Sequence, residues 1–105
     1  EIKIHKKILV PGIFEIPVII SKNINFYDGF VSLGCVIKGQ TPHFDFISSA
    51  AINAIMHLSI TYKKPIGNGI ITCLNKKQAI ERSSIKKKNK GKDAALATLS
   101  VLNFI

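Results

Sequence analysis

The stretch Ser32–Asp45, SLGCVIKGQTPHFD, decides the fold. Its first part, Leu33 to Ile37, is a short apolar run of the kind a buried strand uses, and it passes through a Gly/Thr/Pro turn into the opening of a helix. In an open α/β sheet, ligands bind where the carboxyl end of a strand turns tightly into a helix, because backbone N–H groups and the helix dipole converge there. His43 stands in this turn and is one of only three histidines in the chain. Imidazole is the side chain best suited to moving protons near neutral pH. Strand end, helix start and His43 together form a candidate active site.

Downstream, residues from about His43 to Lys63 read as a long helix. Ile47, Ala51, Ala54 and Leu58 follow helical spacing, while Phe44, Ile52, Ile55 and Met56 spread apolar surface onto other faces, which calls for more cover than one sheet supplies. Pro65 stops the helix. Ile66 to Leu74 is the next strand, with Gly67 and Gly69 at points of close backbone or ligand approach. Asn75 and Gln78 form a capping pair that starts a short helix through Arg82. Ser83 to Lys90 is a basic connector, and Gly91 to Phe104 is a final helix with Ala95, Leu99 and Leu102 inward.

Upstream, Tyr27-Asp28-Gly29 is a turn ahead of a strand over Phe30 to Ile37. Phe14 to Ile20 is a helical segment with Pro17 in its first turn, ended by Asn23 and Asn25. Pro11-Gly12 breaks the element before it, and the alternation at the start of Glu1 to Ile8 suits a strand with one wet face. Strands alternating with helices imply one α/β domain over residues 1–105, a three-layer sandwich whose parallel sheet carries helices on both faces.

At 105 residues the core is small, yet hydrophobic residues make up 47% and charged residues only 20%. That balance points to apolar surface buried between subunits. Cys35 and Cys73 sit inside apolar runs and are expected to be buried free thiols, which suits a reducing, cytoplasmic setting. The longest uncharged run, Phe46 to Tyr62, falls short of the roughly 20 residues that a membrane-spanning helix needs, and no signal peptide is evident. Fifteen Lys+Arg against six Asp+Glu give a net charge of +9. Nucleic acid, an acidic surface and phosphorylated metabolites are all compatible with that charge. The run Lys86, Lys87, Lys88, Lys90, Lys92 lacks the interleaved aromatics that stack on bases, which weighs against nucleic acid and for a solvated basic face that attracts an anionic substrate.

GCVIKGQTPHFD at positions 34–45 resembles the central signature of the lumazine synthase family. Three further segments resemble that family in its own order: VPGIFEIP at 10–17, PIGNGIIT at 65–72 and QAIERSSIKKKNKGKDAA at 78–95. The resemblance implies a flavodoxin-like parallel sheet and a condensation that needs neither cofactor nor metal. In it, 5-amino-6-(D-ribitylamino)uracil and 3,4-dihydroxy-2-butanone 4-phosphate yield 6,7-dimethyl-8-ribityllumazine, a step of riboflavin biosynthesis.

The same resemblance implies the residue roles. His43 would shuttle protons. Gln40 and Thr41, in the turn, would meet the butanone phosphate, and Arg82 would hold that phosphate from a neighbouring subunit, with Lys90 near the same pocket. Ile13, Phe14 and Glu15 would contact the ribityl chain. Cys35, Val36 and Ile37 would meet the pyrimidine through backbone groups. Asn68 falls where some members place an aromatic from the neighbouring subunit. The implied partners are the two small substrates and further copies of the chain, in a homopentamer or a multiple of pentamers.

Family members carry a further strand and helix before the VPG segment, and that strand supplies an aromatic that stacks on the pyrimidine. The chain is therefore expected to be a fragment, to lack its start, or to be a truncated product. Two rival expectations follow: a truncated, catalytically inactive oligomeric scaffold of the same fold, and a basic nucleic-acid-binding domain.

Overall fold

The computed structural model describes residues 6–39 and 42–104. The strand anticipated at the chain's start falls largely on residues 1–5, which, with His5, lie outside the described residues. Residues 6–10 have no regular secondary structure. Gly12 is extended, and the Glu15 N–H bonds its carbonyl at 3.2 Å, closing a short 3-10 turn, Ile13–Glu15. The turn runs directly into helix α1, Ile16–Asn23, with Pro17 in the first turn, where its missing N–H costs nothing. The Asn23 side-chain amide donates to the Ile19 carbonyl at 2.8 Å and helps end the helix.

Strand β1 spans Phe30–Ile37 and strand β2 spans Ile66–Cys73. They pair in parallel, Phe30 opposite Ile66 through Ile37 opposite Cys73. The crossover between them is helix α2, His43–Tyr62. Lys63 ends α2 in the left-handed conformation at φ 55°, two residues ahead of Pro65. The Ser59 hydroxyl donates to the Lys64 carbonyl at 2.7 Å, and the Lys64 ammonium donates to the Ile24 carbonyl at 2.6 Å. That last bond ties the end of α2 to the end of α1. Helices α3, Lys76–Ser83, and α4, Lys90–Leu102, follow β2.

Side-chain alternation sorts the helices onto two faces. The even-numbered face carries Gly34 and Ile70, and it packs on Ile13, Ile16, Ile20, Ile24, Ala51 and Ile55 of the 3-10 turn, α1 and α2. The odd-numbered face carries Gly67, Ile71 and Cys73. Ile71 and Cys73 form a second small core with Ala79 of α3, and α4 lies on Gly67. A Cβ on Gly67 would overlap the Ala94 carbonyl oxygen and Thr98 Oγ1, so glycine is what lets the backbone of α4 touch the sheet. Gly34 does the same for Ile13: a Cβ there would stand 2.7 Å from Ile13 Cγ2. The result is the expected α/β sandwich, a parallel sheet between two layers of helix. Among the described residues the sheet has two strands.

Two expectations are corrected. Cys73 is buried, at 1% exposure, but Cys35 is exposed. Cys35 shares the odd face of β1 with Val31, Leu33 and Ile37, all exposed, because α3 and α4 centre on β2. In α4 the inward residues are Ala94 and Thr98, with Ala95 and Leu99 half-buried and Leu102 exposed. The bare Gly67 backbone admits the Ala94 carbonyl and the Thr98 hydroxyl, and that seat turns those two residues inward. In α2, burial centres on Ser48, Ala51 and Ile55, flanked by half-buried Ile47 and Leu58. Phe46, Met56 and Ile60 are left exposed.

Candidate active site

The Lys38 N–H extends the ladder to the Cys73 carbonyl at 2.8 Å, so β1 stays in register to its last residue. After Gly39 the chain reaches Pro42, whose carbonyl accepts from the Asp45 N–H at 3.1 Å and the Phe46 N–H at 3.3 Å. These bonds start α2 at His43. The helix is 20 residues long, with Asp45 as the acidic residue of its first turn, where the dipole favours negative charge. His43 is exposed at this start.

A cavity of about 320 Å³ opens between the end of β1, the 3-10 turn and the first turn of α2. It is lined by Ile13, Cys35, Val36, Ile37, Gly39, His43, Phe44 and Ile47. Five residues singled out from the sequence therefore converge on one cavity. Gly39, Phe44 and Ile47 were not singled out as site residues. The helical period carried the signal for the last of them, since Ile47 lies four residues from His43 and so on the same face. Partial desolvation, then charge and hydrogen-bond coupling to Cys73, pushes the Cys35 thiol above its ordinary pKa.

The other anticipated residues stand apart from this cavity. Phe14 and Glu15 belong to the 3-10 turn beside it but do not line it, and Phe14 is 58% exposed. Asn68 lies on β2 in a separate, smaller cleft with Ile52, Ile55, Met56, Ser59 and Ile66, and its Oδ1 accepts from the Ile70 N–H at 3.1 Å. Arg82, in the last turn of α3, donates through Nη1 to the Thr72 carbonyl at 2.7 Å and stands 4.0 Å from Cys73 Sγ. Its guanidinium thus sits at the carboxyl end of β2, on the same edge of the parallel sheet as the cavity. Lys90 opens α4, exposed, with its ammonium 3.9 Å from Asp93 Oδ2. Gln40 and Thr41 lie outside the described residues. His57 is exposed on α2. No group of three or more His, Cys, Asp or Glu side chains that could hold a metal occurs among the described residues.

The family model described as 6,7-dimethyl-8-ribityllumazine synthase matches residues 2–105. The chain belongs to the lumazine synthase family. Among its relatives, the 6,7-dimethyl-8-ribityllumazine synthase of Buchnera aphidicola subsp. Acyrthosiphon pisum is 46% identical over 101 residues, covering 94% of this chain and 63% of the relative. The proteins of the same name from Clostridium kluyveri and Sulfurimonas denitrificans are 44% and 42% identical over 99 residues, covering 91% and 92% of this chain and 64% of each relative. The chain thus spans a little under two thirds of the length of these lumazine synthases. Among the described residues, no helix is long and apolar enough to cross a membrane.

Proposed function

We propose that the protein is a 6,7-dimethyl-8-ribityllumazine synthase of riboflavin biosynthesis. It would condense 5-amino-6-(D-ribitylamino)uracil with 3,4-dihydroxy-2-butanone 4-phosphate and release phosphate. The observation that carries this reading is the single cavity at the end of β1, where Ile13, Cys35, Val36, Ile37 and His43 meet in a chain of that family. The uracil amine attacks the butanone carbonyl to give a Schiff base and water, phosphate leaves, and ring closure expels a second water. No cofactor is required. The protein contributes mainly by holding two substrates in register. The strand end, Cys35 to Ile37, receives the pyrimidine, and the turn Ile13–Glu15 receives the ribityl chain. His43 moves the protons. Gln40, Thr41 and the start of α2 receive the phosphate, with Arg82 and Lys90 supplying cations.

In this reading His43 and Arg82 of one site come from different subunits of a homo-oligomer, a pentamer or a multiple of pentamers, in the cytoplasm. Two features support assembly. Arg82 stays outside the cavity that His43 lines within its own chain. The chain also leaves large apolar side chains exposed, Val31, Leu33 and Ile37 of β1 and Phe46, Met56 and Ile60 of α2.

Mixing subunits tests the proposal. His43→Ala and Arg82→Ala proteins should each form little product, with Arg82→Ala weakening use of the butanone phosphate far more than uracil binding. After dissociation and co-assembly in equal amounts, about a quarter of the sites should regain both residues, and product formation should return to about a quarter of the wild-type rate. Failure of the wild-type assembly to form the lumazine would reject the activity. Zero recovery on mixing would reject the shared site.

A further inference from the structure

We infer that Gln78 is a positioning residue for Arg82: it ties the first turn of α3 to Leu74, the residue next after β2, and so fixes where the guanidinium stands. The inference rests on the assignment of Arg82 to the substrate phosphate.

Helix α3 is only eight residues long and mostly polar, so packing alone gives it little to hold on to. Its one buried residue is Ala79, a single methyl set against Ile71 and Cys73. Such a contact fixes how near the helix lies but leaves its rotation about its own axis weakly determined. Polar contacts remove that freedom. Asn75 Oδ1 accepts from the Gln78 N–H at 2.9 Å and starts the helix. In a reciprocal capping box the Gln78 side chain would turn back to the Asn75 N–H. Instead Gln78 Oε1 reaches one residue further and accepts from the Leu74 N–H at 2.8 Å.

Arg82 lies one turn beyond Gln78 on the same helical face, and its Nη1 donates to the Thr72 carbonyl at 2.7 Å. Arg82 therefore meets Thr72 within β2, while Gln78 holds Leu74, the first residue past the strand, on the other side of buried Cys73. With Gln78 bonded to Leu74, the first turn of α3 is held to the residue that leaves β2, and Nη1 meets the Thr72 carbonyl while the Nε and Nη2 groups remain for an anion. Without that bond the guanidinium must find the same place from a helix with a freer rotation. That loss falls on binding of the phosphate and on no step involving the uracil.

The test uses the full-length assembled protein. Steady-state KM is measured for each substrate, together with the inhibition constant of inorganic phosphate, in Gln78→Met, Arg82→Ala and the double variant. Methionine keeps the bulk and reach of glutamine without its oxygen, and Gln78→Ala takes its place if that variant does not fold. Gln78→Met should raise the KM of the butanone phosphate and the phosphate inhibition constant about three- to tenfold, leave the uracil KM unchanged, and add nothing in the Arg82→Ala background. Unchanged phosphate constants in Gln78→Met, with a marked loss in Arg82→Ala, overturn the inference alone. So does a Gln78→Met effect of equal size in both backgrounds, which would mark a purely structural role. Unchanged phosphate constants in Arg82→Ala overturn the assignment of Arg82 and this inference with it.

Discussion

Adding one methyl group at Gly67 is the sharpest test of how the sandwich is built. In Gly67→Ala the new Cβ overlaps the Ala94 carbonyl oxygen and Thr98 Oγ1, and it lies 3.0 Å from the Ala94 carbonyl carbon. Two of these three atoms are backbone and cannot rotate away. The hydroxyl is held as well, its one proton shared between the Ala94 carbonyl at 2.9 Å and the Phe30 carbonyl at 3.2 Å. Relief to ordinary van der Waals contact needs roughly 1 Å of retreat by α4. The bond to Ala94 travels with the helix, but the bond to Phe30 spans helix and sheet and is lost. Overpacking of this kind costs about 1–3 kcal/mol and the hydrogen bond about 1 kcal/mol, so the variant should lose about 2–4 kcal/mol. Urea unfolding followed by far-UV circular dichroism reads the change. Gly39→Ala is the control, because a Cβ at Gly39 meets nothing within 4 Å, and it should stay within about 0.5 kcal/mol of the parent. A Gly67→Ala protein as stable as that control would refute the account of how α4 seats on the sheet.

Alkylation of the native protein should modify Cys35 and spare Cys73, which is 1% exposed, and peptide mapping distinguishes the two. Because the Cys35 pKa is raised and the thiolate is the reacting form, its labelling rate should reach half-maximum at a higher pH than that of a free cysteine; equal labelling of both thiols would contradict the burial described. Ser32, 3% exposed, donates from Oγ to the Gly67 carbonyl at 2.9 Å. Ser32→Ala should lower unfolding free energy by about 1 kcal/mol, with no change in the denaturant slope, and an unaltered unfolding midpoint would show that this bond contributes nothing net.

Signals carried by a few adjacent residues were legible without a structure. The apolar run 30–37 became β1 to the residue. Pro65 and the turn ahead of His43 bounded α2 close to where periodicity placed it, and Asn75 capped α3. The convergence of Ile13 with Cys35, Val36, Ile37 and His43 was legible only because their motifs resemble those of a family, since 30 residues of chain separate Ile13 from His43. The exposure of Cys35 was not legible. A cysteine in an apolar strand reads as buried, and whether a helix lies over it depends on where α3 and α4 settle.

By itself, then, the sequence determined the order and kind of the elements, the parallel sense of the two strands, the family, and the placing of His43 at a strand-to-helix turn. These follow from interactions within one turn of helix, one tight turn or one strand, whose partners lie close along the chain. The tertiary structure alone decided which side chains of each element face inward. Gly67 drew α4 onto β2 and made Ala94 and Thr98 its inner face, and β1 kept an uncovered odd face. Those outcomes depend on contacts between elements far apart in sequence, where a single missing Cβ decides how a helix seats, and no local periodicity encodes that.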